Sequence, residues 1–422
     1  MTEIQSTNHL SSSELPDGYR ITELGFLPEN WTVVRGGEIF CESKLRVRDL
    51  GDKFDGIVLS ITRHAGLIPQ TEKFDKKVAS HDLGNYKIVY RGQLVYGFPI
   101  NEGVIAVSRF AVGAVSPTYC VWNVIRKDVD PEFMDWLVRQ PFMIAQYMRF
   151  ASNVVHRRRT LKPQDFLKVL FPLPPLSEQR AIAPVLRTIQ RAKEATERVI
   201  AASRELKKSL MRHLFTYGPV PIDQADQAPM QETEIGPIPS HWRAVKLREV
   251  AQMKYGKAKP ESSGSIPVIG SGGIYDWTSE ALVSHPTIVI GRKGTAGKVW
   301  LAEVPCWPSD TTFYLVWKCS IDVRFFYYCL SHKPLSGEHA KTTLPSLQRQ
   351  DLENYLVPLP PLSEQQEIAR ILKVVDEKIR AEEMRKQALE QLFKSLLHNL
   401  MTAKIRLPES FVKQFKEGEI HE

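Results

Sequence analysis

The sequence predicts an α+β protein in which two β-rich domains are joined by two long antiparallel helices of coiled-coil type, in a pseudo-two-fold arrangement. Three observations predict this class: a segment that occurs twice, a long amphipathic pattern after each copy, and short β-branched and aromatic runs between the copies. The 422 residues, 43% hydrophobic and 25% charged, suffice for two or three globular domains.

One segment is repeated without gaps at an offset of 186 residues. The sequence PLPPLSEQ occupies Pro172–Gln179 and again Pro358–Gln365, and similarity extends to both sides of it. A second match, between Glu23–Trp31 and Glu234–Trp242, has an offset of 211. The two copies are similar at their ends and different in their middle parts. This pattern indicates a common scaffold whose variable middle parts contact different partners.

Each PLPPLSEQ segment is predicted to open a helix of about 40 residues, or ~60 Å. The prolines favour extended backbone before the helix, and Ser177 and Ser363 are expected at the N-cap positions. Pro184 is expected to kink the first helix or delay its start. An amphipathic helix of this length needs a partner, and the other copy is the obvious one. The residues predicted at the helix-pair or subunit interface are Ile182, Leu186, Ile189, Leu206, Leu210, Leu214, Leu372, Val375, Ile379, Leu392, Leu396 and Leu400.

The predicted organisation follows from these boundaries. It comprises a flexible N-terminus (1–18), a first variable domain (19–171), a first helix (172–217), a proline-rich linker (218–233), a second variable domain (234–357), a second helix (358–407) and a C-terminal tail (408–422). Within the variable domains, strands are predicted at Ile57–Thr62, Tyr86–Tyr90, Gly103–Val107, Ser265–Ile269, Thr287–Ile290 and Phe313–Trp317. Helical stretches are predicted at Pro131–Met148 and Val323–Leu330.

Charge and composition narrow the class of protein. The 56 lysines and arginines exceed the 48 acidic residues and give a net charge of +8, which suits a polyanionic partner but is mild for this length. No apolar run approaches the ~18 residues of a membrane span, and the first residues lack a signal-peptide pattern. We therefore expect a cytoplasmic protein without a membrane partner. The five cysteines form no Cys-x-x-Cys pair, so we expect reduced thiols.

Two segments resemble enzyme motifs without matching them, and two further catalytic motifs are absent from the sequence. Gly291 and Gly297 are separated by five residues, whereas a phosphate-binding loop needs four, and Val299 rather than Ser or Thr follows the lysine. Asp17 with Glu42 and Lys44 imitates a metal-dependent nuclease, but Asp17 falls in a polar tail. Neither an Asn/Asp-Pro-Pro-aromatic motif nor a Gly-x-Ser-x-Gly turn occurs. We predict that the chain has no catalytic residues and binds no metal or cofactor.

The layout resembles the specificity subunit of type I restriction-modification enzymes. The resemblance is carried by the two PLPPLSEQ motifs that open long helices, by GSGGIY at Gly270–Tyr275 and by GRKGTAG at Gly291–Gly297. In the first variable segment, Tyr90-Arg91-Gly92 and Val115–Tyr119 are similar to turns of that family. The resemblance covers roughly Tyr19 to Leu407.

The resemblance implies that each variable segment is a target recognition domain for one half of a bipartite, asymmetric site in double-stranded DNA. The helices would set the spacing and dock two methyltransferase (modification) subunits. Those partners would bind S-adenosylmethionine and methylate adenine, and separate restriction/translocase subunits would use ATP and Mg. Independently of the family, two different heads at a fixed separation predict two different half-sites, about one helical turn apart.

The candidate DNA-binding residues are cations and one aromatic side chain in predicted loops. The densest basic cluster lies just before the first helix, and a glycine-rich loop of the second domain carries three more cations. The full set is Arg63, His64, His156, Arg157, Arg158, Arg159, Lys162, Tyr275, Arg292, Lys293, Lys298 and Lys341. The alternatives are solvated charges or partner contacts for the cations, and a core-covering role for Tyr275.

Two other functions remain open. One is a two-headed coiled-coil scaffold that binds proteins without DNA specificity; the other is a stand-alone DNA-modifying enzyme. A salt-sensitive, sequence-dependent affinity for DNA would exclude the scaffold. Methyl transfer by the purified chain alone would establish the enzyme.

Overall fold

The computed structural model describes residues 17–63, 65–73, 82–155, 158–333, 335 and 346–416. The chain divides into two compact units: unit 1 contains Met1–Glu194 and Gln387–Glu422, and unit 2 contains Ala195–Lys386. Each unit combines one variable domain with part of both long helices. The predicted flexible N-terminus lies outside the described residues up to position 16.

Two α-helices of the described ranges, α6 and α10, are far longer than the others. The α-helices are α1 (Gly36–Ile39), α2 (Gln70–Lys73), α3 (Pro131–Val138), α4 (Pro141–Phe150), α5 (Pro163–Phe166), α6 (Leu176–Tyr217), α7 (Leu247–Val250), α8 (Val323–His332), α9 (Arg349–Glu353), α10 (Leu362–Met401) and α11 (Glu409–Val412). The predicted stretch Pro131–Met148 is divided into α3 and α4, because Pro141 fits the first position of a new helix and not the interior of one.

Short strands make up the variable domains. In unit 1 they are β1 (Tyr19–Thr22), β2 (Gly25–Pro28), β3 (Thr32–Arg35), β4 (Phe40–Ser43), β5 (Ile57–Thr62), β6 (Gly66–Pro69), β7 (Lys87–Tyr90), β8 (Leu94–Tyr96), β9 (Ile105–Val107), β10 (Val112–Val115), β11 (Cys120–Val124), β12 (Ser152–Val155), β13 (Arg158–Thr160) and β14 (Leu170–Leu173). In unit 2 they are β15 (Met230–Thr233), β16 (Gly236–Pro239), β17 (Arg243–Lys246), β18 (Ala251–Tyr255), β19 (Ile266–Gly270), β20 (Gly273–Thr278), β21 (Thr287–Gly291), β22 (Val299–Ala302), β23 (Trp307–Pro308), β24 (Thr312–Trp317) and β25 (Leu356–Leu359). The six predicted strands are all found, within two residues at each end.

Unit 1 is built in three layers. One sheet has the strand order β6-β5-β10-β7 and the other β4-β11-β8-β9. Apolar side chains between the two sheets, among them Leu59, Val95 and Val121, form one buried cluster. The other side of the second sheet presents Phe40 and Trp122 to a larger cluster that includes α3, α4, α5 and parts of both long helices. The variable domain is therefore anchored to the helices through its second sheet.

Unit 2 repeats this plan with different strands. Its sheets have the orders β18-β24-β21-β22 and β20-β19-β23, with a small cluster around Ile269, Val289 and Tyr314 between them. The larger cluster joins Phe313 and Leu315 of the first sheet to α8 and to the long helices. In this unit it is the β20 sheet that lies away from the helices.

The predicted linker is part of the second unit's fold. Residues Ile222–Gln227 form a 3-10 helix, and β15 pairs with β16 just as β1 pairs with β2. Tyr19 and Met230, which open these hairpins, are related by the same offset of 211 as the matching segments. The repeat therefore extends upstream of the sequence similarity, and the stretch 218–233 is not a plain spacer.

The PLPPLSEQ motif does not start its helix where the sequence suggested. Its first prolines lie at the end of β14 and β25, which pair with β3 and β17. The carbonyls of Pro175 and Pro361 accept the first helical hydrogen bonds, so Ser177 and Ser363 lie inside the first turn and are not N-caps. Pro184 neither delays nor interrupts α6, which runs from Leu176 to Tyr217.

The Glu and Gln of the motif brace each unit. Glu178 accepts a hydrogen bond from Trp31 Nε1 at 3.2 Å, and Glu364 accepts one from Trp242 Nε1 at 2.8 Å. The motif thereby contacts the other shared segment of its own copy. Glu178 is 3% exposed and also binds the guanidinium of Arg406 through both oxygens, at 3.2 and 2.8 Å.

The neighbouring glutamines hold an inner helix of each unit. Gln179 accepts a hydrogen bond from the backbone nitrogen of Asp130, and Gln365 accepts one from Asp322, both at 2.9 Å. Asp130 and Asp322 are in turn the N-caps of α3 and α8. The repeated motif is therefore structural: it joins strand, long helix and inner helix in both units.

The long helices pack along a heptad seam with alternating spacings of three and four. In α6 the buried and half-buried seam positions are Leu186, Ile189, Lys193, Thr196, Ile200, Ser203, Lys207, Leu210 and Leu214. In α10 they are Leu372, Val375, Ile379, Glu382, Lys386, Leu389, Phe393, Leu396 and Leu400, each 186 residues further on. Within unit 2, ion pairs Glu197–Lys386, Arg204–Glu383 and Lys207–Asp376 run in antiparallel order.

Two of the residues predicted at the helix-pair or subunit interface, Leu206 and Leu392, do not lie in the helix seam. Leu206 is 53% exposed and Leu392 is 47% exposed, because the next residue of each helix faces inward. Lys207 buries its stem and places its ammonium 2.6 Å from Asp376 and 5.0 Å from the centre of the Tyr328 ring. Phe393 packs edge-on against Trp136 at 5.4 Å. Ile182 lies one turn before the seam and is buried in the unit 1 core.

Candidate nucleic-acid interface

Three loops of unit 2 meet at the end of the β20 sheet, and together they are called the glycine cluster here. They are residues 270–273, 291–298 and 309–311. Ser271 connects them: its backbone nitrogen donates to Thr311 Oγ1 at 3.3 Å, and its carbonyl accepts from Trp300 Nε1 at 3.3 Å. Backbone nitrogens of Arg292 and Lys293 both donate to the Thr311 carbonyl. Four predicted residues, Tyr275, Arg292, Lys293 and Lys298, are thus brought to one place.

Glycines are required in this cluster because aromatic rings lie against the backbone. A Cβ atom on Gly270 would lie 3.0 Å from Cδ1 of Tyr275, and one on Gly273 would lie 3.0 Å from the Trp300 ring. Gly273 also has a φ of +117°, which side chains of other residues rarely adopt. Any larger residue would push one of the rings away from the sheet.

Lys298 and Lys293 are exposed cations of the cluster. The ammonium of Lys298 lies 4.4 Å from the centre of the Trp300 ring, which fixes the charge at the surface by a cation–π contact. Lys293 is exposed at the tip of its loop. Two exposed ammonium groups beside glycine backbone can approach a phosphate closely.

Arg292 is held more tightly than a free surface arginine. Its guanidinium donates to the Asp310 carbonyl at 2.9 Å and lies over the rings of Tyr255 and Phe313, at 5.4 and 5.9 Å. Its Nε is buried, with no hydrogen-bond partner among the described residues. Arg292 therefore supports the loop and leaves only part of its guanidinium for another molecule.

The predicted residues of unit 1 are spread over separate elements. Arg63 is exposed at the end of β5, and Lys162 is exposed where its carbonyl begins α5. Arg158 and Arg159 lie on β13, which pairs with β12, and the Arg159 backbone nitrogen donates to Asn101 Oδ1 at 3.0 Å. His64, His156, Arg157 and Lys341 lie outside the described residues. The described part of unit 1 contains no counterpart of the glycine cluster.

Sequence reasoning missed three aromatic or apolar residues beside Tyr275. Ile274 and Trp277 are 57% and 50% exposed on the same strand, and Trp300 carries Lys298. The sequence Ile-Tyr-Asp-Trp could have indicated Ile274 and Trp277, because a strand that alternates apolar and polar residues would not place two large side chains, Ile and Tyr, next to each other. The exposure of the consecutive residues Ile274 and Tyr275 depends on a β-bulge, which the residue types do not reveal.

The long helices carry a second exposed surface, called the outer stripes here. On α6 it contains Ala195, Val199, Ala202, Leu206 and Ser209; on α10 it contains Ala381, Met384, Ala388, Leu392 and Ser395. Four of these positions are the same residue type in both helices at the offset of 186. Apolar side chains repeated on the outward side of a helix are typical of a surface that another helix covers.

The described residues contain no group of three or more His, Cys, Asp or Glu side chains arranged to hold a metal ion. None of their helices combines the length and the apolar composition that crossing a membrane requires.

The chain is similar in sequence and in structure to known proteins. Residues 239–391 match the family described as the type I restriction modification DNA specificity domain. The chain is 24% identical to a putative type I restriction enzyme MjaX specificity subunit of Methanocaldococcus jannaschii, over 93% of this chain and 97% of that one. It is 28% identical to the type I restriction enzyme MjaVIII specificity subunit of the same organism, over 90% and 94%. The crystal structure of a type I restriction-modification system S subunit from M. genitalium superposes with a TM-score of 0.59 at 17% identity, covering 88% and 96%.

The fold, with two variable α+β domains and two paired long helices, is similar to that of the S subunit from M. genitalium. The predicted resemblance is confirmed, since similarity to the type I specificity subunits extends over nearly the whole chain. The segment 239–391, which matches the family of the type I restriction modification DNA specificity domain, contains the glycine cluster.

Proposed function

We propose that this chain is the sequence-specific DNA-binding specificity subunit of a type I restriction-modification complex. The observation that carries the proposal is the position of the glycine cluster. Its exposed Lys293, Lys298 and Tyr275 lie within the segment that matches a DNA specificity domain. Cations that approach phosphate and an aromatic ring that can pack on a sugar or base are the groups that DNA binding requires.

Each variable domain would recognise one half of a bipartite, asymmetric target. The support is the contrast between repeated and unrepeated parts: the braces and seam recur at fixed offsets, whereas the sheets of the two units differ in strand order. Equivalent scaffolds that carry different recognition surfaces suit two different half-sites. The seam length would set the gap between them.

The outer stripes would dock two methyltransferase subunits, with restriction and translocase subunits joining the full complex. Small and apolar residues that recur on α6 and α10 offer two similar docking surfaces. Under this proposal the chain is not an enzyme. The partner subunits would bind S-adenosylmethionine, ATP and Mg and would catalyse the reactions. The complex would act on DNA in the cytoplasm.

The direct test is a map of adenine methylation. Cells that carry this chain with its neighbouring modification subunit would be compared with cells that lack the chain. We expect a new interrupted motif with two unlike halves and one fixed gap. If the complex assembles and no new motif appears, the scaffold function is favoured instead.

Binding measurements separate DNA specificity from general charge. The complex of this chain with modification subunits should bind a duplex with the mapped motif, with an affinity that falls as salt rises. Lys298→Gln should lower the slope of log affinity against log salt by about 1, on mapped and scrambled duplexes alike. The control, Lys413→Gln, removes an exposed cation beyond α10 and should leave the slope unchanged.

A further inference from the structure

Strand β20 exposes three large apolar side chains in one short stretch, called the apolar edge here. Ile274, Tyr275 and Trp277 are 57%, 59% and 50% exposed. Because β20 is the outer strand of its sheet, these residues lie at an edge. A cluster of this kind on a domain surface indicates a binding partner, since single exposed apolar residues are common but contiguous ones are not.

A β-bulge produces the exposure. Val268 pairs with Asp276 and Ile269 pairs with Ile274, so Tyr275 is an extra residue without a partner on β19. A bulge of this kind re-aims side chains, which explains why the consecutive residues Ile274 and Tyr275 are both exposed. The Tyr275 ring lies along Gly270 and is held in place by backbone contact and not by a buried pocket.

The edge is not prepared to pair with another strand. The carboxylate of Asp276 accepts a hydrogen bond from the Trp277 backbone nitrogen at 2.8 Å, which occupies a donor that an added strand would need. Lys259 binds the same carboxylate, and this contact lowers the pKa of Asp276 below its usual range. Together with the bulge, this polar pair disfavours strand addition by a second copy.

The cations of the glycine cluster adjoin the apolar edge. Tyr275 touches Gly270, the neighbouring Ser271 accepts from Trp300, and Lys298 lies over that ring. Lys293 is on the same loop as Lys298. An apolar surface bordered by exposed ammonium groups matches a nucleic acid, whose phosphates lie beside the apolar faces of sugars and bases.

We propose that the apolar edge is a non-ionic DNA contact, in which Tyr275 and Ile274 pack on sugars or bases of one half-site while Lys293 and Lys298 hold the adjacent phosphates. The inference rests on the proposed function and assigns it a surface. The two groups of residues then contribute differently to the affinity for DNA. The cations supply the part that depends on salt concentration, and the apolar edge supplies a part that does not.

The experiment measures affinity against salt concentration for the complex of this chain with modification subunits, on a duplex with the mapped motif. The double variant Ile274→Ser, Tyr275→Ser should bind this duplex about 10- to 100-fold more weakly, the range typical of lost aromatic contacts with bases. Its salt slope should equal that of the unchanged protein. Tyr275→Phe keeps the ring and should keep nearly full affinity. Ile222→Ser, at an exposed residue of the 222–227 segment, is the matched control.

Each other outcome would overturn the inference. Unchanged affinity of the double variant would show that the edge does not touch DNA. Unchanged affinity with weaker assembly of the complex would assign the edge to a protein partner. A Tyr275→Phe loss as large as that of the double variant would assign recognition to the hydroxyl group. In all three cases the methylation map could still show a bipartite motif, so the proposed function would stand.

Discussion

Glu178 and Glu364 illustrate how the two copies keep one structure with different neighbours. Both accept from a tryptophan of the upstream shared segment, but Glu178 adds Arg406 and Glu364 adds His241 at 2.7 Å. The hydrogen bond to Glu178 raises the pKa of Arg406, so its guanidinium stays charged. The position that corresponds to Arg406 in the first copy is Val220, which cannot form an ion pair.

Removing the buried charge should therefore destabilise unit 1. In Glu178→Gln the guanidinium of Arg406 loses its counter-charge, and we expect the free energy of unfolding to fall by about 1–3 kcal/mol. Glu364→Gln should cost less, because His241 is half exposed and water can replace its partner. Calorimetry of the full chain would show this as a shift of one transition. A Glu178→Gln variant as stable as the unchanged chain would contradict the brace.

His332 predicts a dependence of unit 2 stability on pH. The His332 ring is half-buried against Phe215, and this burial lowers the pKa of His332 below its usual range. The positive charges of Lys333 and Arg212 lower it further. At mildly acid pH the unfolded chain therefore binds a proton that the folded chain resists, and stability falls as pH drops through the ordinary value of about 6.5. His332→Gln should lose this part of the pH dependence of the melting temperature. Identical profiles for both proteins would contradict the assignment.

At the scale of elements, the helix seam shows what sequence periodicity can and cannot supply. Leu186, Leu214, Leu372 and Leu400 were predicted and are buried. For the helix seam, Leu206 and Leu392 each lie one position too early. Lys207, which takes the place of Leu206, is a charged residue whose inward direction depends on Asp376 and Tyr328. Phe393, which takes the place of Leu392, packs against Trp136 of a different helix. A periodic pattern identifies the helix, whereas the partners of a buried lysine appear only in three dimensions.

This correction yields a paired prediction. Leu186→Asp places a charge in a fully buried position of unit 1 and should cost more than about 4 kcal/mol, enough to unfold it. Leu206→Asp changes an exposed residue and should alter stability by less than about 0.5 kcal/mol. If the outer stripe docks a modification subunit, Leu206→Asp should nevertheless prevent co-purification. A folded Leu206→Asp chain that still assembles would remove the outer stripe from the docking surface.

Recognition elements were only partly predictable. The glycine-rich letters and cations of 270–298 indicated the loops, and the structure brings Tyr275, Lys293 and Lys298 together there. The bulge at Tyr275 lies in a local hairpin, but the residue at which the register shifts is not marked by the residue types. The contacts of Arg292 with Tyr255 and Phe313 involve residues distant in sequence, so no local pattern could reveal them.

For the whole molecule, the sequence repeat predicted two variable domains and two long helices, and this class of fold is confirmed. What it did not predict is that one of the compact units is discontinuous. Unit 2 is a continuous stretch, while unit 1 combines residues before 195 with residues after 386. The physical reason is the antiparallel seam: the first half of α6 packs with the second half of α10 in unit 1, and the second half of α6 packs with the first half of α10 in unit 2.

The central claim is that each variable domain recognises its own half of the DNA target. Because the two copies share an equivalent scaffold, one variable domain can replace the other, and this replacement tests the claim most directly. Residues 243–346 would be replaced by a second copy of residues 32–160, with both braces and the seam unchanged. Adenine methylation would then be mapped in cells that carry this chain and the modification subunit. We predict an interrupted palindrome, with one original half-site and its reverse complement. Retention of the original asymmetric motif by an assembled complex would contradict the account.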